Sequence, residues 1–302
     1  MMKITTLPPP TLILQESPDW QDYELLDSGG GLKLERYGKY TLRRPEPEAV
    51  WQPALPEKTW ASASAVFRPS NEENGGHWET LKAVDERWIM TYKNLRFWTQ
   101  LSASRHLGVF PEQASQWDWL GEQIQAAHRP VKVLNLFGYT GIATLAAASS
   151  GATVTHIDAS RKVINWAREN QELSGLAERP IRWILDDALK FIQREGRRGV
   201  QYDGLILDPP KFGRGPKGEV WEFYNLLPEL LQACRGVLSK QPCFVLLTAY
   251  AVKASALTLF YAIDEMMRGF NGQTEAGEVV LQEKSAGRLL SMAIFGRWSS
   301  AR

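Results

Sequence analysis

Apolar residues along the chain follow two patterns. Some form short continuous runs, which are typical of buried strands, and others recur at helical spacing. From Val131 to Asp158, an apolar run with β-branched residues leads into a glycine-bearing turn, an Ala-rich segment and a second β-branched run. Parallel strands lose the alternation of polar residues because helices cover both faces of their sheet. This stretch therefore predicts a βαβ unit whose tight turn lies between Gly138 and Gly141.

The same pattern continues toward the C-terminus, where helical segments separate further apolar runs. Strands are predicted to begin near residues 131, 153, 181, 204, 243, 277 and 289, and one intervening helix to run from about Val220 to Leu238. Strands that alternate with helices favour a doubly wound, mostly parallel sheet. We therefore predict an α/β fold with a seven-stranded sheet in a domain spanning residues 101–302.

A different pattern occupies the N-terminal third. Residues 1–18 are Pro-rich and are expected to be extended, whereas residues 19–100 contain short alternating runs typical of β-hairpins. The segment Lys33–Arg44 interleaves basic residues with Tyr37 and Tyr40. A basic, aromatic β-ribbon can follow a phosphate backbone and stack on a base, and a solvated hairpin face is the alternative. We predict a small β-rich domain, with RNA contact as one of the two interpretations.

Composition narrows the class of protein. The 302 residues are 44% hydrophobic and 23% charged, which are globular values, and the net charge of +1 neither requires nor excludes nucleic acid. Two cysteines and four scattered histidines argue against a disulfide framework and against a metal site. Neither a signal peptide nor a long apolar span is present, so we expect a cytoplasmic protein without a membrane partner.

Candidate chemistry concentrates where the predicted strands end. Open α/β sheets bind ligands at the carboxyl ends of their strands, and glycine there lets backbone amides approach closely. Asp158 closes the second predicted strand, where its carboxylate can accept hydrogen bonds from the ribose hydroxyls of an adenosine. The G-x-x-G turn lacks the dinucleotide fingerprint G-x-G-x-x-G, so this motif alone leaves the cofactor open. An ordinary turn with a surface aspartate is the alternative.

A second motif follows another predicted strand. The sequence YDGLILDPPKFGRG places Asp208 at a strand end, directly before Pro209 and Pro210. Two prolines remove two backbone donors and keep the chain extended, so the carbonyl groups there can face a ligand. A strand, an acidic residue and Pro-Pro is the arrangement found beside the methyl donor in many nucleic-acid methyltransferases. Together the two motifs indicate S-adenosylmethionine, and an ordinary turn after the strand is the alternative.

With these motifs in this order, the chain resembles class I S-adenosylmethionine-dependent methyltransferases, and among them the ribosomal-RNA large-subunit methyltransferases of the RlmI/RlmK type. The resemblance covers about residues 90–298 and rests on GVFPEQ (108–113), NLFGYTG (135–141), HIDAS (156–160), LDDALKFI (185–192) and LDPPKF (207–212). It implies a Rossmann-like methyltransferase fold, S-adenosylmethionine as cofactor and RNA, ribosomal in particular, as substrate.

The resemblance also implies roles for individual residues. The implied contacts to the methyl donor are Gln113, Asn135, Phe137, Gly138, Tyr139, Thr140, Gly141, Asp158, Ala159, Ser160, Asp187, Ala188 and Asp208. For Asp187, capping of the following helix is the alternative to contact with adenine. Asp208, Pro209 and Pro210 are placed at the junction of donor and acceptor.

One departure from the family pattern bears on the reaction. Family members that methylate cytosine at carbon 5 attack the base with a cysteine after the fifth strand, where this chain has LLTAY ending in Tyr250. Cys234 and Cys243 lie elsewhere and are expected in the core. An acceptor nitrogen, which already has a lone pair, is therefore expected, with Asp208 orienting it or accepting its proton. Tyr250 is expected to contact the base, and packing at the sheet edge is the alternative.

Two other functions remain open from the sequence. A methyltransferase for a small molecule or a protein is favoured by the near-neutral charge and opposed by the Pro-Pro motif and the basic ribbon. A catalytically silent RNA-binding protein of the same fold is opposed by the complete set of donor motifs. The sequence leaves the oligomeric state, the target nucleotide and the methylated atom undetermined.

Overall fold

The computed structural model describes residues 10–17, 20–70, 75–102 and 105–301. In chain order its strands are β1 (Leu12–Glu16), β2 (Tyr23–Gly29), β3 (Leu32–Tyr37), β4 (Tyr40–Pro45), β5 (Ala65–Pro69), β6 (Gly76–Thr80), β7 (Trp88–Tyr92), β8 (Leu95–Thr99), β9 (Lys132–Leu136), β10 (Thr153–Asp158), β11 (Ile181–Leu185), β12 (Gly204–Leu207), β13 (Phe212–Arg214), β14 (Val220–Glu222), β15 (Phe244–Ala249), β16 (Gly272–Gln282) and β17 (Leu289–Ser300). The helices are α1 (Glu57–Ala61), α2 (Ala114–Ala126), α3 (Ile142–Ser149), α4 (Arg161–Leu173), α5 (Ala188–Arg197), α6 (Phe223–Gly236) and α7 (Ala256–Met266), and a 3-10 helix (Pro111–Gln113) precedes α2.

The largest sheet has eight strands in the order β1, β16, β17, β15, β12, β9, β10, β11. Strands β9 to β12 and β15 are mutually parallel, and β17 is antiparallel to both of its neighbours. The predicted α/β fold with a doubly wound, mostly parallel sheet is confirmed. Its seven predicted strands are β9 to β12 and β15 to β17.

The eighth strand, β1, comes from the N-terminal segment that was predicted to be extended. It pairs in parallel with β16, and Leu12 lies opposite Ala276. Gly277 permits this pairing, because a Cβ atom there would lie 1.8 Å from the carbonyl oxygen of Ile13. Residues 1–9, the other part of that prediction together with residue 18, lie outside the described residues.

Different elements cover the two faces of the main sheet. Helices α2 and α3 pack on one face with the β7–β8 hairpin, where Phe97, Leu120 and Leu145 are buried in one core. Helices α5 to α7 pack on the other face, where Phe191 and Leu230 belong to a second core. Burial on both faces explains why the central strands have no polar alternation. Among the described residues, no helix is both long enough and apolar enough to cross a membrane.

One predicted helix boundary shifts in the structure. The helix predicted from about Val220 begins at Phe223, because Val220–Glu222 pairs with Phe212–Arg214 in an antiparallel hairpin. The buried indole of Trp221 fixes this hairpin by donating a hydrogen bond of 2.6 Å to the carbonyl oxygen of Pro210. Helical periodicity continues through this segment in the sequence, but the tertiary hydrogen bonds decide its structure.

Strands β2 to β6 form a separate five-stranded sheet in the N-terminal part of the chain. The predicted basic ribbon lies here, but its rings and two of its cations face inward. Tyr37 and Tyr40 are buried, and so are Lys33 and Arg44. Both interpretations, an RNA-binding ribbon and a solvated face, are therefore wrong for these four side chains. This sheet confirms the predicted β-rich N-terminal part of the chain, and its residue Tyr37 belongs to the same buried core as residues of the main sheet.

Acidic partners explain why cations are buried in this sheet. The Lys33 ammonium lies 3.0 Å from a Glu46 oxygen, and the Arg44 guanidinium lies 2.7 Å from Glu35. Glu35 also accepts a hydrogen bond of 2.9 Å from the Tyr23 hydroxyl. A buried charge requires such partners because desolvation penalises it strongly.

The small sheet is also tied to the main sheet by polar contacts. The Ser28 hydroxyl donates to Glu283 at 2.5 Å, and the Ser285 hydroxyl donates to Asp27 at 2.6 Å. Glu283 and Ser285 follow β16 directly. The β16–β17 end of the main sheet thus holds the small sheet in place.

Replacing Glu35 with Gln should destabilise the protein by about 3 kcal/mol, because it leaves the buried Arg44 without its counter-charge. Burial alone raises the pKa of Glu35, but the charges of Arg44 and Lys33 outweigh it and lower the pKa from 4.5 to about 2. The ionised form therefore stabilises the fold above about pH 4.5, and this stability is lost as the pH falls toward 2. Urea unfolding at pH 7 measures the loss, with exposed Glu48→Gln as control. Equal stabilities of the two variants would contradict the assignment.

Candidate active site at the carboxyl edge of the sheet

The carboxyl ends of four parallel strands meet at one cavity. Strands β9, β10, β11 and β12 end next to Phe137, Asp158, Asp186 and Asp208, and all four residues line a cavity of about 730 Å³. Parallel strands bring their carboxyl ends to the same edge, so residues far apart in the sequence become neighbours here.

Most of the predicted site residues lie at this cavity. Twelve of them line it: Gln113, Phe137, Tyr139, Asp158, Ala159, Ser160, Asp187, Ala188, Asp208, Pro209, Pro210 and Tyr250. An adjoining smaller pocket is lined by Asn135, Gly138 and Thr140 as well. Gly141 lines neither. Gly141 is the N-cap residue of α3 and has a φ angle of 83°, a left-handed conformation that glycine adopts without strain. Its role is therefore to allow this backbone conformation.

The turn after β9 has an unusual backbone. Phe137 and Tyr139 adopt left-handed φ angles of 60° and 49°. Such angles cost about 1–3 kcal/mol for non-glycine residues and cluster at functional sites. Asp158 holds the turn, since its carboxylate accepts hydrogen bonds from the backbone N–H of Tyr139 at 3.0 Å and of Ser160 at 2.8 Å. Burial raises the pKa of Asp158, although these N–H groups act against the rise.

Two residues that were predicted to contact the methyl donor support this turn with their side chains. The Asn135 amide donates to the Thr144 hydroxyl at 2.8 Å, and the Thr140 hydroxyl donates to the carbonyl oxygen of Gly108 at 2.5 Å. These polar groups are therefore engaged within the protein.

Asp187 caps a helix, as the alternative interpretation of the sequence proposed. Its carboxylate accepts a hydrogen bond of 2.9 Å from the backbone N–H of Lys190 in the first turn of α5. It also lines the cavity, so capping does not remove it from the site. The preceding residue, Asp186, forms an ion pair with Arg194.

Two carboxyl groups lie at the other end of the cavity. Burial raises the pKa of Asp208 to about 7, and the nearby charge of Glu112 contributes to the rise. Glu112, in the 3-10 helix, is only 4% exposed, and burial raises its pKa to about 7. Sequence analysis missed Glu112, although it is the neighbour of Gln113 in the GVFPEQ motif.

Four rings form a wall beside these carboxyl groups, and we call them the aromatic wall: His106, Phe110, Tyr139 and Tyr250. The centroids of His106 and Phe110 lie 4.9 Å apart, and those of Phe110 and Tyr139 lie 5.5 Å apart. Burial, aided by the nearby Arg44 charge, lowers the pKa of His106 to about 3, which keeps its imidazole neutral. Arg105 stacks on Tyr250 and donates to its hydroxyl. His106 and Phe110 were not predicted: His106 lies outside the quoted motifs, and Phe110 lies in GVFPEQ without a role assigned to it.

A hairpin borders the mouth of the cavity. The side chains of Phe212 and Arg214 project from its outer face, and Phe212 is 55% exposed. Trp221 faces inward, and its indole N–H donates a hydrogen bond to the carbonyl oxygen of Pro210. The sequence predicted that carbonyl groups here face a ligand, but this one is bonded within the protein. We call β13 and β14 the flap. A salt bridge of 2.7 Å between Lys190 and Glu219 anchors it to α5.

Residues 64–247 match the model of a family of S-adenosylmethionine-dependent methyltransferases. The chain belongs to this family. A solved structure of a SAM-dependent methyltransferase from Agrobacterium tumefaciens is 45% identical, with a TM-score of 0.92, and each chain covers 98% of the other.

Curated relatives are more distant and longer. Ribosomal RNA large subunit methyltransferase K from Neisseria meningitidis is 28% identical over 197 residues, which are 63% of this methyltransferase and 54% of the relative. Ribosomal RNA large subunit methyltransferase K/L from Shewanella loihica is 29% identical over 191 residues, 60% of this chain and 26% of the relative. The methyltransferase thus spans about half or less of the length of these relatives.

The cavity of the methyltransferase fits S-adenosylmethionine. Its volume of about 730 Å³ accommodates a ligand of this size. Its lining combines carboxylates at one rim with apolar surface from Ile157, Ala188 and Phe137. Gly138 keeps the turn close to the sheet, because a Cβ atom there would lie 2.3 Å from Cε1 of His156. The predicted cofactor, S-adenosylmethionine, is confirmed by family membership.

Neither cysteine of the methyltransferase is near the aromatic wall. Cys243 precedes β15, whereas Tyr250 follows the opposite end of that strand, and Cys234 lies in α6. Both are buried, and burial raises the pKa of each thiol. Neither is suited to nucleophilic attack, which needs a thiolate. Within the described residues, no group of three or more His, Cys, Asp or Glu is placed to hold a metal ion.

Replacing Gly138 with Ala should weaken S-adenosylmethionine binding by about tenfold or more, because the added methyl group collides with buried His156 and displaces the turn. Isothermal titration calorimetry measures the affinity. Gly196→Ala in α5 is the matched control, because its Cβ atom would lie 3.8 Å from Val237, an ordinary contact. Unchanged affinity in Gly138→Ala would contradict the role of this turn.

Replacing Glu112 with Gln should stabilise the methyltransferase at pH 8. The folded-state pKa of about 7 exceeds the ordinary 4.5, so stability is lost as the pH rises between these values and stays lower above them. The variant avoids this loss, which is on the order of 3 kcal/mol at most. Urea unfolding at pH 5 and pH 8 measures it, with exposed Glu172→Gln as control. A gain that does not increase with pH would contradict the burial of an ionisable Glu112.

Proposed function

We propose that this methyltransferase transfers a methyl group from S-adenosylmethionine to a nitrogen atom of an RNA base, and that the RNA is ribosomal. The observation that carries the proposal is the pairing of Asp208 with the aromatic wall at one end of the donor cavity. Enzymes that modify a base bind it out of the stack, between rings and polar groups that recognise its edge. The names of the curated relatives support ribosomal RNA.

The donor is proposed to occupy the rim formed by β9, β10 and β11. Asp158 accepts hydrogen bonds from the ribose hydroxyls, and Asp187 with Ala188 borders the adenine. Backbone groups of the turn approach the amino-acid end. The residues proposed to contact S-adenosylmethionine are Gln113, Asn135, Phe137, Gly138, Tyr139, Thr140, Asp158, Ala159, Ser160, Asp187, Ala188 and Asp208. Gly141 is proposed to maintain the conformation of the turn.

Bound S-adenosylmethionine supplies a methyl group activated by its positive sulfur. The residues of the chain supply position, the main source of acceleration for such an in-line displacement. Tyr250 and Phe110 hold the acceptor base by its faces. Asp208 accepts a hydrogen bond from the acceptor nitrogen and orients its lone pair. Pro209 and Pro210 hold Asp208 at the strand end.

Nitrogen is the proposed target because no thiolate is placed to activate a carbon. Methylation of cytosine at carbon 5 needs a covalent adduct with a nucleophile. At the end of β15 stands Tyr250, and burial raises the pKa of its hydroxyl to about 12. A nitrogen atom with a lone pair needs no adduct.

The flap provides a surface for the rest of the RNA. The exposed ring of Phe212 and the cation of Arg214 share its outer face, next to the cavity. Single strands bind to such combinations of stacking rings and positive charge.

A second candidate acceptor is a small molecule or a protein. The observation that favours it is the neutralisation of Lys33 and Arg44 by Glu46 and Glu35, which removes the basic ribbon from the RNA surface. The cavity alone does not distinguish these acceptors.

Transfer of radiolabel from S-adenosylmethionine distinguishes them. The purified methyltransferase is incubated with separated RNA, protein and small-molecule fractions from cells that lack its gene. Label in large-subunit ribosomal RNA is the expected result. Label in another fraction alone would overturn the RNA proposal and favour the second candidate.

Replacing Asp208 with Ala should abolish methyl transfer, a loss of at least about a hundredfold, because the acceptor loses its orienting group. Binding of S-adenosylmethionine should remain within about threefold of the unmodified protein, or about 0.7 kcal/mol. Single-turnover transfer and calorimetry measure the two effects, with exposed Glu172→Ala as control. Persistent transfer in Asp208→Ala would contradict this role.

A further inference from the structure

Tyr250 lies where the backbone of the chain gives its ring little support. It follows the last residue of β15, and the next residue, Ala251, has a left-handed φ angle of 56°. Such an angle is strained for alanine and persists only where surrounding contacts maintain it. Ala251 is exposed, which leaves the side chain of Tyr250 to hold the chain just beyond the strand.

Two kinds of contact hold the Tyr250 ring. The ring packs against the buried cluster of Val279, Ala293 and Phe295. On its polar side, the Arg105 guanidinium lies 5.3 Å from the ring centroid and donates a hydrogen bond to the hydroxyl. Apolar packing has no preferred direction, whereas a hydrogen bond does. The bond from Arg105 therefore fixes the direction in which the ring points.

Arg105 is in turn held by the small sheet. Its carbonyl oxygen accepts a hydrogen bond of 3.0 Å from Nη1 of Arg44. The other donors of Arg44, Nε and Nη2, bind the two carboxylate oxygens of Glu35 at 2.7 Å and 2.8 Å. Because the donors of a guanidinium form a rigid fork, this bidentate pair fixes the direction of Nη1 as well. The buried ion pair of the small sheet thus sets the position of the Arg105 backbone.

The segment that begins with Arg105 also carries two other rings of the aromatic wall. The ring centroid of Tyr250 lies 6.0 Å from that of His106 and 6.5 Å from that of Phe110. Three of the four rings of the wall therefore depend on this segment, two as its members and Tyr250 through Arg105.

Direct contact between the Arg105 cation and a phosphate of the acceptor is the alternative role. The location of the side chain opposes it. Among the described residues, Tyr250 lines the donor cavity and Arg105 does not. Arg105 lines only the narrower pocket between the cavity wall and the small sheet, and it is half-buried there. Arg105 thus supports the ring from outside the cavity.

We propose that Arg105 is a positioning residue for methyl transfer, held in place by Arg44 of the small sheet. It keeps the Tyr250 ring in a fixed position relative to Phe110, so that a planar acceptor meets rings that are already in place. This inference rests on the proposed function, in which Tyr250 and Phe110 hold the acceptor base. It goes beyond that function by giving the small sheet a part in the reaction that needs no contact with RNA.

Fluorine NMR of protein labelled with 3-fluorotyrosine tests this support without any acceptor. The Tyr250 resonance is assigned by its absence in Tyr250→Phe. It should shift or broaden in Arg105→Met, which removes both contacts of the guanidinium. It should also do so in Arg44→Lys, which keeps a cation beside Glu35 but loses the rigid fork. Exposed Arg268→Met is the control and should leave the resonance unchanged.

Either negative result would overturn the proposal. An unchanged Tyr250 resonance in Arg105→Met would show that the guanidinium does not support the ring. An unchanged resonance in Arg44→Lys would show that the small sheet has no influence on it.

A double-mutant cycle tests whether Arg105 acts through Tyr250. Transfer of label to the RNA fraction from cells that lack the gene gives kcat/KM for Arg105→Met, Tyr250→Ala and the double variant. Arg105→Met alone should lower kcat/KM for RNA by about tenfold or more, because a displaced ring no longer orients the base. In the Tyr250→Ala background it should cause no further loss. Additive losses would mean that Arg105 contacts the acceptor itself, which would overturn the positioning role.

Affinity for S-adenosylhomocysteine separates this role from a general loss of structure. Calorimetry should give a dissociation constant for Arg105→Met within about threefold of that of the unmodified protein. A larger loss of affinity would show that Arg105 supports the fold of the donor site as well, and would contradict a role confined to the acceptor.

The two proposals fail in different ways. Labelled RNA with additive losses, or an unchanged fluorine resonance, refutes the positioning role and leaves RNA methylation intact. Failure to label RNA, with the fluorine shifts as expected, refutes RNA as acceptor and supports the link from Arg44 through Arg105 to Tyr250.

Discussion

The site depends on a strained turn that the sheet holds in place. Phe137 and Tyr139 adopt left-handed backbone angles that they would not keep in isolation, and the Asp158 carboxylate stabilises them through backbone N–H groups. Close packing of Gly138 on buried His156 leaves no room for any side chain at that position. Because β9 and β10 are adjacent parallel strands, the turn and the carboxylate that holds it are fixed relative to each other. The fold itself thus holds the turn in this conformation.

Charge burial by the small sheet shapes the other half of the site. Its ion pairs, Lys33 with Glu46 and Arg44 with Glu35, let cations stay inside the protein beside the cavity. The surface of the small sheet consequently lacks the basic ribbon that its sequence suggests. This region also provides the closed environment of Glu112, in which burial raises the pKa of the carboxyl group to about 7. Because the pKa of Glu112 is raised in this environment, its ionisation lowers the stability of the fold at alkaline pH.

Sequence alone predicted the features that are encoded locally. Apolar runs that end in Asp158 and Asp208 identified the strand ends, because burial on both faces removes polar alternation and ligands bind at carboxyl ends. Long-range contacts decided the rest. Glu112 becomes buried only when the small sheet closes against the main sheet, and the segment Val220–Glu222 pairs with a strand rather than starting a helix. The sequence around Tyr37 did not show that Glu46 and Glu35 would pair with Lys33 and Arg44 in the folded protein.

The identity of the methylated atom tests the account most directly. RNA from cells that lack the gene is methylated by the purified protein and digested to nucleosides, and mass spectrometry with authentic standards identifies the product. The account predicts a base methylated on a nitrogen atom. A product of 5-methylcytidine would contradict it, because the chain would then need a nucleophile that neither Cys234 nor Cys243 is placed to provide.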